Sequence, residues 1–282
     1  MLKESLQQAA QAVARADALL IGAGAGMGVD SGLPDFRGTQ GFWRAYPPYQ
    51  KLGLDFVSLA NPRWFAADPA LAWGFYGHRL NLYRSAQPHA GFQILLSWAR
   101  RMRQGAFVFT SNVDGHFQRA GFAHESVFEV HGSVHWMQCH CGTDIFSADQ
   151  FQITVDETSM RAKEPLPACS SCGSVARPNI LMFGDRDWDD TRSSAQQARM
   201  EEWLQPVLGK RLVIVECGAG TAIPTVRRFC EGTAFQTGGT LIRINMREAA
   251  VPEGHLGMAM GALEALQAIN EILSRAQVWA DQ

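Results

Sequence analysis

Short apolar runs, each followed by glycine or polar residues, recur along the chain and set its predicted architecture. Runs of this kind are typical of strands that are buried on both faces of a parallel sheet. The predicted strands, most of whose residues are apolar, lie at residues 18–21, 106–110, 127–130, 211–215 and 240–245. Stretches with helical spacing separate them, and residues 2–16 show one such apolar face. The alternation predicts an α/β fold, a parallel sheet with helices on both faces.

The first apolar run ends in a glycine-rich turn. Gly22, Gly24, Gly26 and Gly28 occupy every second position there. Glycine lets a backbone approach a ligand closely, and the N–H groups of such a turn at a helix start favour a bound phosphate. Arg37 follows shortly after, where its guanidinium could pair with a pyrophosphate. Because the spacing is not a strict G-x-G-x-x-G, a tight strand-to-helix turn without a ligand stays open as the alternative.

Polar residues follow the next two predicted strands directly. Ser111, Asn112 and Asp114 come after the second run, and His131 comes after the third. In an open α/β sheet, ligands bind beyond the carboxyl ends of the strands. We therefore expect these side chains to share one site. For His131, an ordinary structural histidine is the alternative.

Four of the six cysteines form two close pairs. Cys139 and Cys141 make a Cys-x-Cys pair, whereas Cys169 and Cys172 make a Cys-x-x-Cys pair. Thiolates in this arrangement suit a closed, tetrahedral zinc site, here in a small lobe inserted into the larger domain. Because the tighter first spacing strains chelation, His140 could replace one thiolate. A degenerate module without metal is the other alternative.

Composition narrows the class of protein. The 282 residues, 46% of them apolar, suffice for one large domain or for a large and a small one. The net charge of -2 and the pI near 6.4 disfavour nucleic acid or an anionic membrane as the main partner. No apolar run approaches the ~20 residues that span a bilayer, and the N-terminal stretch lacks the layout of a secretion signal. A soluble, cytoplasmic protein is expected.

Several motifs together resemble the sirtuin signature. GAG at 24–26 and SGLPDFR at 31–37 match its first motif nearly letter for letter. TSNVD at 110–114, EVHG at 129–132 and RPNILMFGD at 177–185 resemble later motifs in the same order. The resemblance extends over nearly the whole chain, and it implies a Rossmann-like fold that binds NAD and zinc.

The resemblance also implies a division of the chain. The Rossmann-like NAD-binding domain would consist of residues 1–38, 86–133 and 177–282. Residues 39–85 would supply a cofactor loop and a helical insertion, and residues 134–176 would form the zinc-binding module of the same small lobe. Residues 39–48 are rich in aromatic residues and proline. They are predicted to form a flexible lid over the ligand, with a packed surface loop as the alternative.

Site residues follow from the same resemblance. His131 would be the catalytic base, a role that its ordinary pKa of about 6.5 suits. Asn112 and Asp114 would assist it by contacting the nicotinamide ribose and the carboxamide. The positions expected to bind NAD are Gly24, Ala25, Gly26, Gly28, Asp35, Phe36, Arg37, Ser111, Asn112, Asp114, Gly218, Thr221 and Asn245.

Two further pairs would bind the substrate, an acylated lysine of a protein. Tyr76 and Arg79 are three residues apart, so they share a helix face. In sirtuins such a pair reaches the acyl pocket and favours acidic acyl groups such as succinyl or malonyl, which a guanidinium and a phenol can bind through charge-assisted hydrogen bonds. An arginine on a solvated helix face is the alternative. Phe183 and Gly184 would lie where the extended chain pairs with the acyl-lysine peptide.

The predicted activity is NAD-dependent removal of acyl groups from protein lysines, releasing nicotinamide and O-acyl-ADP-ribose. Three departures from the family pattern keep alternatives open: Gly28 replaces a serine, Ser111 a glutamine and Phe117 a histidine. One alternative is ADP-ribosyl transfer or NAD hydrolysis at the same site. The other is a non-catalytic sensor of NAD or ADP-ribose. The oligomeric state is left open.

Overall fold

The computed structural model describes residues 2–35 and 38–276. Its helices are α1 Leu2–Arg15, α2 Gly38–Ala45, α3 Pro47–Lys51, α4 Phe56–Leu59, α5 Arg63–Ala67, α6 Pro69–Ser85, α7 Ala90–Ala99, α8 His116–Arg119, α9 Thr191–Val207, α10 Thr225–Thr237 and α11 Ala262–Arg275. Its strands are β1 Ala18–Ala23, β2 Ala106–Thr110, β3 Val127–Glu129, β4 Gly132–Gln138, β5 Phe146–Ser147, β6 Val155–Asp156, β7 Arg161–Ala162, β8 Arg177–Ile180, β9 Leu212–Cys217, β10 Thr240–Ile244 and β11 Leu256–Met258. Within these ranges, none of the helices combines the length and the apolar character that crossing a membrane requires.

The main sheet confirms the predicted α/β fold. In the described part of the chain it has six parallel strands in the order β11-β10-β9-β1-β2-β3. The chain builds the sheet outward from β1 to β3, then crosses back to β9 and continues outward to β11. The winding direction therefore reverses between β1 and β9, which is where sheets of this type bind ligands.

Both faces of the sheet are covered, which explains the continuous apolar runs. All residues of β1 are buried. One face of the sheet packs against α1, α7 and α11, with Leu19 and Ile21 in that core. The opposite face packs against α9 and α10 around Leu20 and Ile214. Because successive side chains of a strand point to opposite faces, a strand buried on both sides carries mostly apolar residues on both of its faces.

A buried ion pair joins two strands of the sheet. Arg243 on β10 and Glu216 on β9 are direct cross-strand partners, and both side chains are at most 1% exposed. The guanidinium donates to Glu216 Oε1 at 2.6 Å and to Glu216 Oε2 at 2.8 Å, and it also donates to Glu231 Oε1 on α10 at 2.8 Å. A desolvated charge of this kind requires its partner, because removing one member leaves the other buried and unpaired.

The segment between β1 and β2 and the segment between β3 and β9 together form a second, smaller core. Trp73 on α6 donates its indole N–H to Ala176 O at 2.9 Å. Tyr49 on α3 donates its hydroxyl to Met160 O at 3.3 Å. These contacts join the helices between α2 and α6 to the cysteine-containing segment. The shared apolar cluster lies beside the carboxyl ends of the main strands.

The structure corrects the expectation for residues 39–48. They form helix α2 and the start of α3, so they are helical and form neither the flexible nor the packed loop that was expected. Phe42, Tyr46 and Tyr49 are at most 2% exposed, and they pack against Phe75 with ring centroids 5.8–6.0 Å away. Proline at the first position of α3 is compatible with a helix start, because that N–H needs no helical partner.

Candidate active site

A cavity of about 380 Å³ lies beyond the carboxyl ends of the parallel strands. Loops after four neighbouring strands line it: Gly24 and Ala25 after β1, Ser111 to Asp114 after β2, His131 after β3, and Gly218 to Gly220 after β9. The small lobe closes the other side with residues of α6 and with the segment that follows β8. The cavity therefore spans the point where the winding of the sheet reverses, the expected position of a dinucleotide.

Glycines allow the loops after β1 and β9 to touch each other. Gly26 donates its N–H to Gly218 O at 3.0 Å. A Cβ atom built on Gly24 would lie 2.7 Å from the Cα of Ala219, too close for any larger residue. The 3₁₀ helix Ala25–Ser31 begins at this contact. This close approach brings the backbones of Gly24, Ala25 and Gly218 together in the cavity wall at the switch point, where a pyrophosphate is expected.

His89, which carries no sequence motif of the site, holds the glycine-rich turn through hydrogen bonds on the side away from the cavity lining. Its Nε2 lies 2.9 Å from Met27 O, and its Nδ1 accepts the N–H of Gly91 at 3.0 Å. Its own N–H donates to Ser31 Oγ at 3.0 Å. Burial lowers the pKa of His89, so the ring stays neutral and can accept at Nδ1. A polar residue just before a helix pattern is a sequence signal for such a cap.

Asn112 and Asp114 are held in fixed orientations. Asn112 donates its side-chain amide to Gly24 O at 3.0 Å, which ties the loop after β2 to the glycine turn. Asp114 is 7% exposed, and its Oδ1 accepts the N–H of His116 at 2.9 Å. The ring of His135 contacts the carbonyl of Asp114 at 2.9 Å. An amide and a carboxylate thus stand preorganised in the cavity wall.

His131 lines the cavity at the end of β3. Burial lowers the pKa of its imidazole, and a backbone hydrogen bond with Ser111 partly opposes this effect. The lowered pKa keeps the ring neutral at neutral pH, the form that can accept a proton. The carbonyl of His131 accepts the N–H of Leu181 at 3.0 Å, which links this residue to the far wall of the cavity.

The small-lobe end of the cavity carries a buried cation. Arg79 is 7% exposed, so it does not lie on a solvated helix face. Its Nε donates to the Tyr83 hydroxyl at 2.9 Å, and aromatic ring centroids, including that of Phe75, lie 5.3–5.8 Å from Cζ. Tyr76 also lines the cavity, and its buried hydroxyl has no hydrogen-bond partner among the described residues. An unsatisfied buried hydroxyl beside a cation suits an anionic ligand group.

The cysteine pairs converge in space. Cys139 Sγ lies 3.6 Å from Cys172 Sγ, and Cys141 Sγ lies 3.7 Å from Cys169 Sγ. All these sulfurs lie within 4.8 Å of one another. Tetrahedral zinc with Zn–S bonds of about 2.3 Å separates its thiolates by about 3.8 Å. The cluster therefore fits a structural zinc ion in spite of the short Cys-x-Cys spacing.

Other expected NAD contacts divide into three groups. Asp35 and Gly218 line the cavity, whereas Phe36 and Arg37 lie outside the described residues. Gly26 and Gly28 belong to the turn but not to the described cavity lining. Of the two positions expected to pair with the acyl-lysine peptide, Phe183 lines the cavity wall and Gly184 forms the turn beyond it.

Thr221 and Asn245 connect loops instead of lining the described cavity. Thr221 donates its hydroxyl to the carboxylate of Glu248. Asn245 is 2% exposed, donates to Ala219 O at 2.7 Å, and accepts the N–H of Glu248 at 3.0 Å. The hydrogen bonds of these side chains fix the conformation of the loop after β9.

Several residues that line the cavity were not predicted from the sequence. Tyr83 lies four residues after Arg79 on α6, a spacing that could have indicated the contact. Phe56, Met182 and Ile223 also line the cavity. They carry no chemical signature in the sequence, because an apolar wall residue looks like any core residue.

Comparison with known proteins agrees with this geometry. The family model described as "Sir2 family" matches residues 24–213. An "NAD-dependent protein deacylase" of Thermus thermophilus is 28% identical over 268 residues, 93% of each chain. An "NAD-dependent protein deacylase 2" of Pyrobaculum aerophilum is 32% identical over 230 residues, 81% of this chain and 79% of the relative. A solved Sir2 homologue–NAD complex is 25% identical with a TM-score of 0.68, covering 96% of this chain and 94% of that one. Because the family model spans well over half of the residues, this chain belongs to the Sir2 (sirtuin) family, as its motifs predicted.

Proposed function

We propose that this chain is an NAD-dependent protein-lysine deacylase. One observation carries the proposal: a single cavity joins the switch-point loops, His131 and the buried Arg79–Tyr76 end of the small lobe. A dinucleotide at the loops and an acyl group at α6 would meet beside the imidazole. The names of the deacylase relatives support the same activity.

The residues of the chain supply orientation and proton transfer. NAD, when bound, supplies nicotinamide as the leaving group. The backbone of the loops after β1 and β9 would hold the pyrophosphate, and Asn112 and Asp114 would orient the nicotinamide end. His131, kept neutral by burial, would accept a proton from a ribose hydroxyl as the acyl group moves from lysine to ADP-ribose.

The test is to incubate the protein with NAD and an acetyl- or succinyl-lysine peptide, and to measure nicotinamide release and loss of the acyl group. A deacylase releases nicotinamide only when peptide is present, in amounts equal to the acyl groups removed. Release without peptide, or label arriving on protein, indicates NAD hydrolysis or ADP-ribosyl transfer and refutes the proposal. NAD binding without turnover indicates a sensor and also refutes it.

We further propose that this deacylase prefers acidic acyl groups. The cavity ends at a buried guanidinium and at a hydroxyl without a partner among the described residues. A carboxylate would provide an acceptor for both Arg79 and Tyr76 through charge-assisted hydrogen bonds, whereas an acetyl methyl group would provide none. Aromatic rings around the guanidinium exclude water and so strengthen this discrimination.

Arg79→Met is expected to lower kcat/KM for a succinyl peptide about 100-fold, and that for an acetyl peptide much less, because only succinyl loses a charged partner. Arg84→Met is the matched control on the same helix. Arg84 donates to Phe151 O and Ala148 O at 2.8 Å outside the described cavity lining. It should affect both peptides equally. Equal losses for both peptides in Arg79→Met would contradict the proposed preference.

Tyr76→Phe tests recognition of the acidic acyl group separately from the stability of the protein. The substitution removes only a buried hydroxyl that has no partner among the described residues. The melting temperature should therefore stay constant or rise, because the desolvation cost of that hydroxyl disappears. Activity towards the succinyl peptide should still fall relative to the acetyl peptide.

A further inference from the structure

A buried ion pair lies just behind the wall of the cavity. Asp185 has a side chain that is 0% exposed, and Arg177 has one that is 11% exposed. The guanidinium of Arg177 donates to Asp185 Oδ2 at 2.8 Å and to Oδ1 at 3.0 Å. The same carboxylate accepts the N–H groups of Met182 and Asp187, each at 3.3 Å. One carboxylate thus fixes both a side chain and the main chain on either side of it.

The pair closes a loop that forms the cavity wall. Arg177 begins β8, the chain continues through Leu181, Met182 and Phe183, which line the cavity, and Asp185 returns after the turn at Gly184, whose φ is +70°. The ion pair therefore clamps the two ends of the wall segment 181–183.

The wall segment is bonded to the rest of the site on both sides. Leu181 donates its N–H to the carbonyl of His131 at 3.0 Å, and Phe183 donates its N–H to Ala60 O at 2.8 Å. The side chains of Leu181 and Phe183 are nevertheless 39% and 36% exposed at the cavity mouth. A segment with little side-chain burial at these positions depends on polar contacts for its conformation.

We propose that Arg177 and Asp185 are positioning residues for substrate binding: their ion pair holds residues 181–183 in the conformation that receives the acyl-lysine peptide. This inference rests on the proposed deacylase function. Neither residue lies in the described cavity lining, so the pair acts through the wall segment and not by contact with NAD or the acyl group.

Asp185→Asn removes the charge and keeps the shape. KM for the peptide should rise about tenfold, with kcat and KM for NAD changed less than about twofold. Asp185→Glu, which restores the charge on a longer side chain, should recover part of the loss. Asp17→Asn is the matched control, since Asp17 forms an equally bidentate pair with Arg211 at 2.8 and 2.9 Å, but at an exposed position. A peptide KM equal to that of the control, or equal rises in both KM values, would overturn the proposal.

A second measurement does not depend on turnover. Hydrogen exchange of the amides of residues 181–183 should be faster in Asp185→Asn than in the unmodified protein and the Asp17→Asn control, because the clamp protects them. Unchanged exchange overturns the positioning role. If the unmodified protein shows no peptide-dependent turnover, the deacylase proposal fails. The exchange result alone then tests whether the ion pair holds residues 181–183 in place.

Discussion

Replacing His131 with alanine is expected to lower kcat about a thousandfold, while the affinity for NAD changes less than about threefold. The imidazole is the proton acceptor that the cavity places at the end of β3, and the loops that would hold NAD are built from other residues. Peptide-dependent nicotinamide release gives kcat, and calorimetric titration gives NAD affinity. Full turnover in this variant would remove His131 from the mechanism.

The pH profile gives an independent check on the same residue. Burial lowers the pKa of His131 below its ordinary value of 6.5, so the neutral base persists below that pH. The acid limb of kcat/KM should therefore have its midpoint below pH 6.5, with activity lost as the pH falls through the lowered pKa. His124→Ala is the control, because His124 is exposed and lies outside the described cavity lining. It should leave both kcat and the profile unchanged.

Removal of zinc is expected to produce the largest loss of stability. The purified protein should contain about one zinc ion per chain, and a strong chelator should lower the melting temperature by roughly 10 °C or more. The sulfur cluster belongs to a segment that packs onto α6, so its loss exposes part of the small-lobe core. Metal analysis and thermal unfolding with and without chelator measure both effects.

Single substitutions identify the ligands. Cys172→Ser should lower both the zinc content and the melting temperature, since it removes one of the converging thiols. Cys217→Ala is the control, because Cys217 is fully buried in β9, away from the cluster. It should keep the full zinc content. If the protein contains no zinc and the chelator leaves its melting temperature unchanged, the cysteine module is the degenerate, metal-free one.

The fold was predictable because its strands are buried on both faces. Residues 18–21 are apolar without interruption, the pattern of a strand inside a covered parallel sheet, and the glycine-rich turn that follows favours a strand over a buried helix. The positions of Asn112 and His131 follow from the same rule, since polar residues directly after such strands must face the carboxyl edge. Family membership was predictable from the motifs that coincide with these strand ends.

Residues 38–51 show where local pattern fails. Their aromatic residues and prolines are typical of loops, yet they form α2 and α3 because Phe42, Tyr46 and Tyr49 fill the small-lobe core. The burial of Arg79 could not be predicted from the sequence either, because it depends on aromatic rings from distant segments, such as that of Phe56. The bond between Thr221 and Glu248 joins loops after different strands, which no spacing in the sequence reveals.

The cross-strand pair of Glu216 and Arg243 has a consequence for how the two halves of the site are aligned. Shifting β10 by one residue against β9 would turn Arg243 towards the apolar core on the opposite face of the sheet. Its charge would then be buried there without a partner. Neighbouring aliphatic side chains are nearly interchangeable and impose no such penalty. The pair therefore fixes the register of β10 against β9. Gly218 follows β9 and Asn245 follows β10, so the same register sets where these two residues lie relative to each other at the carboxyl end of the sheet.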